Sequence, residues 1–195
     1  MISLLSADQQ RSVSAAISFT ERTGMTYILG TKQTFRDADD AVAMEFLETV
    51  CDITALPEYQ QLKQFRHHYG TTRYQHCLNV AWYTFLWCRN RGLNYRSAAR
   101  GAMLHDFYLY DHHKEQPFPG SHAEVHPRAA LSNALKFFDP DAIMIDCIVN
   151  HMWPGSPHRP ATPEGLIVTI ADKYCASLEF GTFAARKGLR AVSVH

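Results

Sequence analysis

No charge of either sign prevails in this chain: 19 Lys and Arg offset 19 Asp and Glu among 195 residues. Without a net field, little draws a polyanion or an anionic membrane surface onto the protein. Long nucleic acid and membranes are therefore set aside as partners, while short oligonucleotides stay compatible. Arg186, Lys187 and Arg190 form a small basic tail, read as a solvated helix face. Long hydrophobic runs are missing as well; nothing approaches the roughly 20 apolar residues that span a bilayer. The opening residues Met1 to Asp8 carry no basic segment and too short an apolar run for a signal peptide, which predicts a soluble, cytoplasmic protein. The five cysteines, Cys51, Cys77, Cys88, Cys147 and Cys175, are odd in number and show no CxxC spacing. A disulfide framework or zinc knuckle is thereby excluded and a reducing compartment favoured. Sustained alternation of apolar and polar residues is absent, and so is any internal repeat.

What remains is a helical pattern. A hydrophobic content of 46% with 12% aromatic residues specifies a folded globule large enough to bury a core. The expected organisation is an N-terminal helical extension over residues 1–60 and one all-α domain over 61–195. Residues 1–30 are weakly amphipathic. Asp37, Asp39 and Asp40 open a helix through Val42, Phe46, Leu47 and Val50, acids in a first turn suiting the helix dipole. A helix over about 72–91 places His76, Val80, Tyr83 and Trp87 on one face, and Gly92 ends it. The next runs from Tyr95 to Tyr108, with Ala98, Ala102 and His105 sharing a face. His126-Pro127 opens another, through Phe138, with Pro127 suited to a first helical position. Asp139-Pro140-Asp141 starts a helix in which Cys147 and His151 are i and i+4. Thr162-Pro163-Glu164 starts the last, aligning Val168 with Asp172.

Within this pattern His105-Asp106 stands out, since two adjacent polar side chains follow the apolar stretch Ala98 to Leu104. Burying them unpaired would cost several kcal/mol or more, on the order expected for isolated polar and charged groups. A divalent metal can supply the partner, because neutral imidazoles and carboxylates suit first-row cations. A lone core histidine is usually satisfied by its neighbours; His76, His105, Asp106, His126, His151 and Asp172, each on or beside a helix, outweigh that reading together. They describe a metal site inside a helical bundle.

The ordered set His76, His105-Asp106 and Asp172 resembles the motif of the HD superfamily of metal-dependent phosphohydrolases. Arg73 to Ala81 and Arg96 to Asp106 are similar to the first two motifs of small bacterial HD-domain proteins, and Ala171-Asp172-Lys173 to the closing one. His126-Pro127 and His151 resemble the additional histidines of binuclear members. The likeness covers about residues 65–180. Phe107-Tyr108-Leu109-Tyr110-Asp111 departs from the Gly-Lys and Gly-Tyr-Pro elements of HD-GYP proteins, which argues against cyclic di-GMP. The motifs flanking the site in (p)ppGpp hydrolases and dGTPases are absent too.

The resemblance implies an HD-domain helical bundle in which His76, His105, Asp106 and Asp172 hold one ion. Asp106 would bridge to a second held by His126 and His151. The cofactors implied are two divalent transition metals, drawn from Fe, Mn, Co, Ni and Zn. Two such ions about 3.5–4 Å apart activate water and stabilise phosphoryl transfer. The substrate class is then a small phosphate ester, of a nucleotide or related molecule, with Asp106 and Lys173 in the catalytic machinery. Lys173 would contact phosphate or form a structural ion pair; Arg73 and His68 sit near the same entrance, read chiefly as surface or supporting residues. His126 is preferred over His122 as ligand because of the proline after it. His112, His113 and His158 read as loop residues, and Trp82, Tyr83, Phe85 and Trp87 as core. Two alternatives stay open: a metal-stabilised nucleotide-binding regulatory module without turnover, and an HD-type di-iron oxygenase. The apolar helices suit a homodimer as readily as a monomer.

Overall fold

A computed structural model describes residues 28–31, 33, 40–67, 70–112, 114, 115, 117 and 119–192, with side chains to residue 185. The first 27 residues, Asp37, Asp39, His68, His113 and the side chains of the basic tail, for which expectations were stated above, lie outside the described residues. Those described form seven α-helices and no strand. The helices are α1 (Ala41–Ala55), α2 (Pro57–Gln60), α3 (Arg73–Arg89), α4 (Tyr95–Leu104), α5 (His122–Phe137), α6 (Ala142–Asn150) and α7 (Pro163–Val192). A 3₁₀ turn, Gln61–Gln64, follows α2. The all-α expectation is met. No helix among the described residues is long and apolar enough to cross a membrane.

Local chemistry sets the helix starts. The Asp40 carboxylate accepts from the Val42 and Ala43 amides at 3.1 Å each, Thr72 caps α3 through the Gln75 amide, and Asp141 caps α6 through Met144. Each removes one or two of the four amides that a helix start leaves without a partner. Pro163 opens α7, where a missing N–H costs nothing.

Helix α3 is the central rod, packed against α4 and α7, while α6 packs on α4 and α7 from the other side. Its residues from His76 to Phe85 are all buried, so it has no single inward face of the kind expected; a helix enclosed all round needs none. Phe46 of α1 meets Trp82 and Phe85 edge-on at 5.1 and 5.5 Å, within one core that also holds Leu78, Met103, Ile148 and Val168. The aromatic run is core packing, with Trp87 half-buried at its edge.

Two boundaries differ from expectation. Helix α4 stops at Leu104 instead of reaching Tyr108, leaving His105 at the cap and Asp106 in the turn. Successive helical side chains diverge by about 100°, so ending the helix here lets two neighbours serve one centre. Helix α5 begins at His122, four residues before His126, because Ser121 and Glu124 form a reciprocal capping box. Pro127 therefore lies inside the helix, not at its first position.

Close approach and one buried carboxylate fix the far end of the bundle. A Cβ on Gly101 of α4 would stand 2.7 Å from the Cys147 Cβ and 3.1 Å from the Met144 Cα of α6, so only glycine permits this contact. Asp146 accepts from Asn150 Nδ2 at 2.7 Å and from the Ala161 and Thr162 amides at 2.9 Å each. It thereby ties the loop between α6 and α7, the two elements that carry His151 and Asp172. Gly101→Ala is expected to lower stability by about 1–3 kcal/mol through overpacking, measured by denaturant unfolding. Burial works to raise the Asp146 pKa, but the hydrogen bonds from the Ala161 amide, Thr162 and Asn150 outweigh it and hold it low. Its stabilisation is thus present above the ordinary carboxylate pKa and lost as pH falls through the lowered folded value. Asp146→Asn should flatten the acid limb of the stability profile as well as reduce stability at neutral pH.

Candidate metal centre

Each imidazole of the centre arrives on a helix or helix end that fixes its tautomer. His105 Nδ1 donates to the Ala102 carbonyl at 2.7 Å, His126 Nδ1 to His122 O at 2.6 Å and His151 Nδ1 to Ile148 O at 2.8 Å. A carbonyl can only accept, so each Nδ1 carries a proton and each ring turns its Nε2 inward. His105 and His151 cap α4 and α6, and their hydrogen bonds also serve carbonyls near the helix ends. For His76 the partner is a carboxylate: Nδ1 faces Glu179 Oε1 at 3.1 Å, while Nε2 faces Asp172 Oδ1 at 2.9 Å.

These groups meet around Asp106. Its Oδ1 lies 3.3 Å from His126 Nε2 and 3.8 Å from His151 Nε2. Its Oδ2 lies 3.8 Å from His105 Nε2, and His105 Nε2 is in turn 3.8 Å from Asp172 Oδ1. One carboxylate thus faces two sets of donors, His76, His105 and Asp172 on one side and His126 and His151 on the other. All six residues nominated from the sequence converge, and His126 rather than His122 points its Nε2 at the centre.

The arrangement fits cations better than protein alone. His126 Nε2 and His151 Nε2 stand 3.0 Å apart, two lone pairs facing one another in a buried space. Burial lowers the His126 pKa, and burial with the neighbouring His105 and His126 pushes His151 down to about 3, so protons do not relieve the contact at neutral pH. The buried His105 Nε2 and Asp106 Oδ1 have no hydrogen-bond partner among the described residues. Polar atoms buried in this way cost about 1–3 kcal/mol each unless something occupies the space between them. On the other side, protons can stand in. Burial alone would lower His76 and His105, but Asp172 and Glu179 raise His76 to about 10 and Asp106 raises His105 to about 9. Despite burial, the facing histidines hold the Asp106 and Asp172 carboxyls well below the ordinary range. The donor set of imidazoles and carboxylates suits divalent first-row metals.

Above the centre opens a cavity of about 520 Å³, in the range of small-molecule sites. Its walls include Tyr108, His112, His122, Met152 and Lys173. His112, His122 and His126 stack in a ladder with centroids 4.3 and 4.4 Å apart, and burial beside His126 lowers His122 to about 4. Lys173 donates to the His151 carbonyl at 3.2 Å, with its ammonium 3.8 Å from Asp172 Oδ2. Arg73, read as a surface or supporting residue, is fully buried. Its guanidinium stacks 3.4 Å over the Tyr108 ring and donates to the Tyr108 and Tyr110 carbonyls at 2.5 and 3.2 Å, pinning the segment that follows Asp106.

Two residues at the centre escaped the sequence reading. His67 Nε2 lies 3.1 Å from Asp106 Oδ2; no local pattern marks it, since it sits in a loop ahead of α3. Glu179 had a faint mark, lying seven residues after Asp172 on the buried stripe with Val168 and Cys175.

The family model of the HD domain matches residues 73–177, over half of the chain, which therefore belongs to the HD-domain family. That family is largely one of metal-dependent phosphohydrolases, and its members bind divalent metals. No curated protein and no solved structure matches the chain.

Because the neighbouring carboxylates raise the His76 and His105 pKa values, a cation binding on that side competes with protons. Chelator-treated protein should release protons on binding Mn²⁺, with affinity rising as pH increases towards the raised histidine values. Calorimetry in buffers of different ionisation enthalpy measures this; heats independent of buffer would contradict it.

Proposed function

We propose that this protein is a binuclear metal-dependent phosphohydrolase acting on a small phosphate ester, of a nucleotide or a related molecule. The observation that carries the reading is Asp106, whose two oxygens face two separate imidazole sets. His76, His105, Asp106 and Asp172 would hold one divalent ion, and Asp106, His126 and His151 the other. Such a pair supplies, when bound, an activated water and neutralisation of the charge that develops at phosphorus.

The chain's own residues supply the rest. The backbone carbonyls of Ala102, His122 and Ile148 hold the imidazoles in one tautomer, so their lone pairs stay aimed without rearrangement. Arg73 keeps the segment after Asp106 in place, which fixes the bridging carboxylate. Lys173 stands at the cavity wall, half exposed and beside Asp172, where its ammonium can take a phosphate oxygen. The cavity's size favours a mononucleotide-sized molecule over a polymer, in line with the balanced charge of the chain.

The test is elemental mass spectrometry of protein purified without chelator, paired with phosphate release from a panel of nucleotides and sugar phosphates with Mn²⁺ or Fe²⁺. Two ions per chain are expected, both lost in Asp106→Ala together with activity, whereas His126→Ala should lose one. Lys173→Ala should raise KM about tenfold, equivalent to ~1.4 kcal/mol of binding, and keep both metals. Metal-free wild-type protein, or phosphate release unchanged in Asp106→Ala, would refute the proposal; oxygen uptake in place of phosphate release would move the site to oxidative chemistry.

A further inference from the structure

We infer that His67 is a fifth protein ligand of the first cation position and that Glu179 orients it together with His76. The inference rests on the reading of the centre as a metal site. Both residues lie outside the span 73–177 that the family model matches, one before it and one after it.

The geometry is paired. The His67 and His76 rings stack nearly parallel, centroids 3.9 Å apart and 22° between planes. Their Nδ1 atoms face the two oxygens of a single carboxylate: His76 Nδ1 lies 3.1 Å from Glu179 Oε1 and His67 Nδ1 3.8 Å from Glu179 Oε2. Their Nε2 atoms face the opposite way, His76 to Asp172 Oδ1 at 2.9 Å and His67 to Asp106 Oδ2 at 3.1 Å. Oδ2 is the Asp106 oxygen on the His105 side, so His67 addresses the first position and not the second. One donor atom each from His67, His76 and Asp106 falls within 4.8 Å of the others, close enough for one ion to reach all three.

Glu179 is buried in an apolar part of α7. A carboxylate there is costly unless well paired; the His76 imidazole meets one of its oxygens at 3.1 Å, and the His67 ring stands 3.8 Å from the other. Holding Nδ1 of a histidine on a carboxylate fixes the ring and strengthens Nε2 as a ligand; here one carboxylate serves two rings. The loop bearing His67 is itself held, its amide donating to Thr71 O at 2.7 Å beside the bridge between Arg66 and Thr72. With His67 the first position offers three imidazoles and two carboxylates, a set that favours late first-row cations over Mg²⁺.

The experiment is a calorimetric titration of chelator-stripped, full-length protein with Co²⁺ and Mg²⁺, with the visible spectrum of the Co²⁺ form recorded alongside. It is carried out in a His126→Ala background, so that only the first position fills. Glu179→Gln, which keeps size but can accept from only one ring, should weaken Co²⁺ by about 10–100-fold. His67→Ala should weaken it at least as much, alter the spectrum and respond to added free imidazole. His67→Gln retains a donor to Asp106 but no imidazole, and should behave like His67→Ala. Wild-type affinity and spectrum in His67→Gln would mean that His67 acts by hydrogen bonding, overturning its assignment as a ligand. So would an unchanged His67→Ala, and in both cases the metal site itself would stand. Failure of the parent protein to bind any cation would instead overturn both readings. Should the His67 variants not fold, pulsed electron paramagnetic resonance of Mn²⁺ in the His126→Ala protein decides: three coupled imidazoles support the assignment and two refute it.

Discussion

Everything at the centre of this molecule turns on Asp106 and the lone pairs gathered round it. His67 reaches its Oδ2 at 3.1 Å, but Oδ1 has no hydrogen-bond partner among the described residues, and the Nδ1 protons of His126 and His151 are committed to backbone carbonyls. With both Nδ1 protons given to backbone carbonyls, the 3.0 Å separation between His126 Nε2 and His151 Nε2 sets two acceptors face to face, an arrangement that positive charge would relieve. The bundle therefore has the character of a preformed cage: helix ends aim the donors, and close packing through Gly101 and the Asp146 tie keeps those ends from drifting. Stability and affinity are opposed here, since the features that suit a cation leave polar atoms without partners in its absence.

Much of this was legible in the sequence because it is written in local chemistry. Asp40, Thr72 and Asp141 announce helix starts, and a vicinal His-Asp pair after an apolar stretch announces a buried partner. The six clustered residues follow from helix periodicity and a family motif. The errors fall where two local rules competed. Proline after His126 suggested a helix start, but the capping box at Ser121 and Glu124 satisfies more amides and took the boundary. The pattern after Tyr95 continued to read as helix past Leu104, whereas the need to turn two adjacent side chains to one centre ended it.

What could not be read is what depends on tertiary approach. Arg73 read as either a surface or a supporting residue, and only the tertiary approach decides between them: it is buried and stacks on Tyr108, thirty-five positions away. His67 sits in a loop with no periodicity to give it a direction; the bridge from Arg66 to Thr72 and contacts with distant residues set where it points. Glu179 shared a stripe with Asp172, but its meaning came from meeting two rings contributed by a distant segment.

The donors are drawn from the whole length of the bundle. His76 meets Asp172 across 96 positions and Glu179 across 103. A cation gripping such a set acts in the manner of a covalent staple, closing long loops whose ends would otherwise wander in the unfolded chain. The centre thus depends on the whole fold: an unfolding event that releases α7 takes away Asp172 and Glu179 together, so half-folded forms hold no complete site.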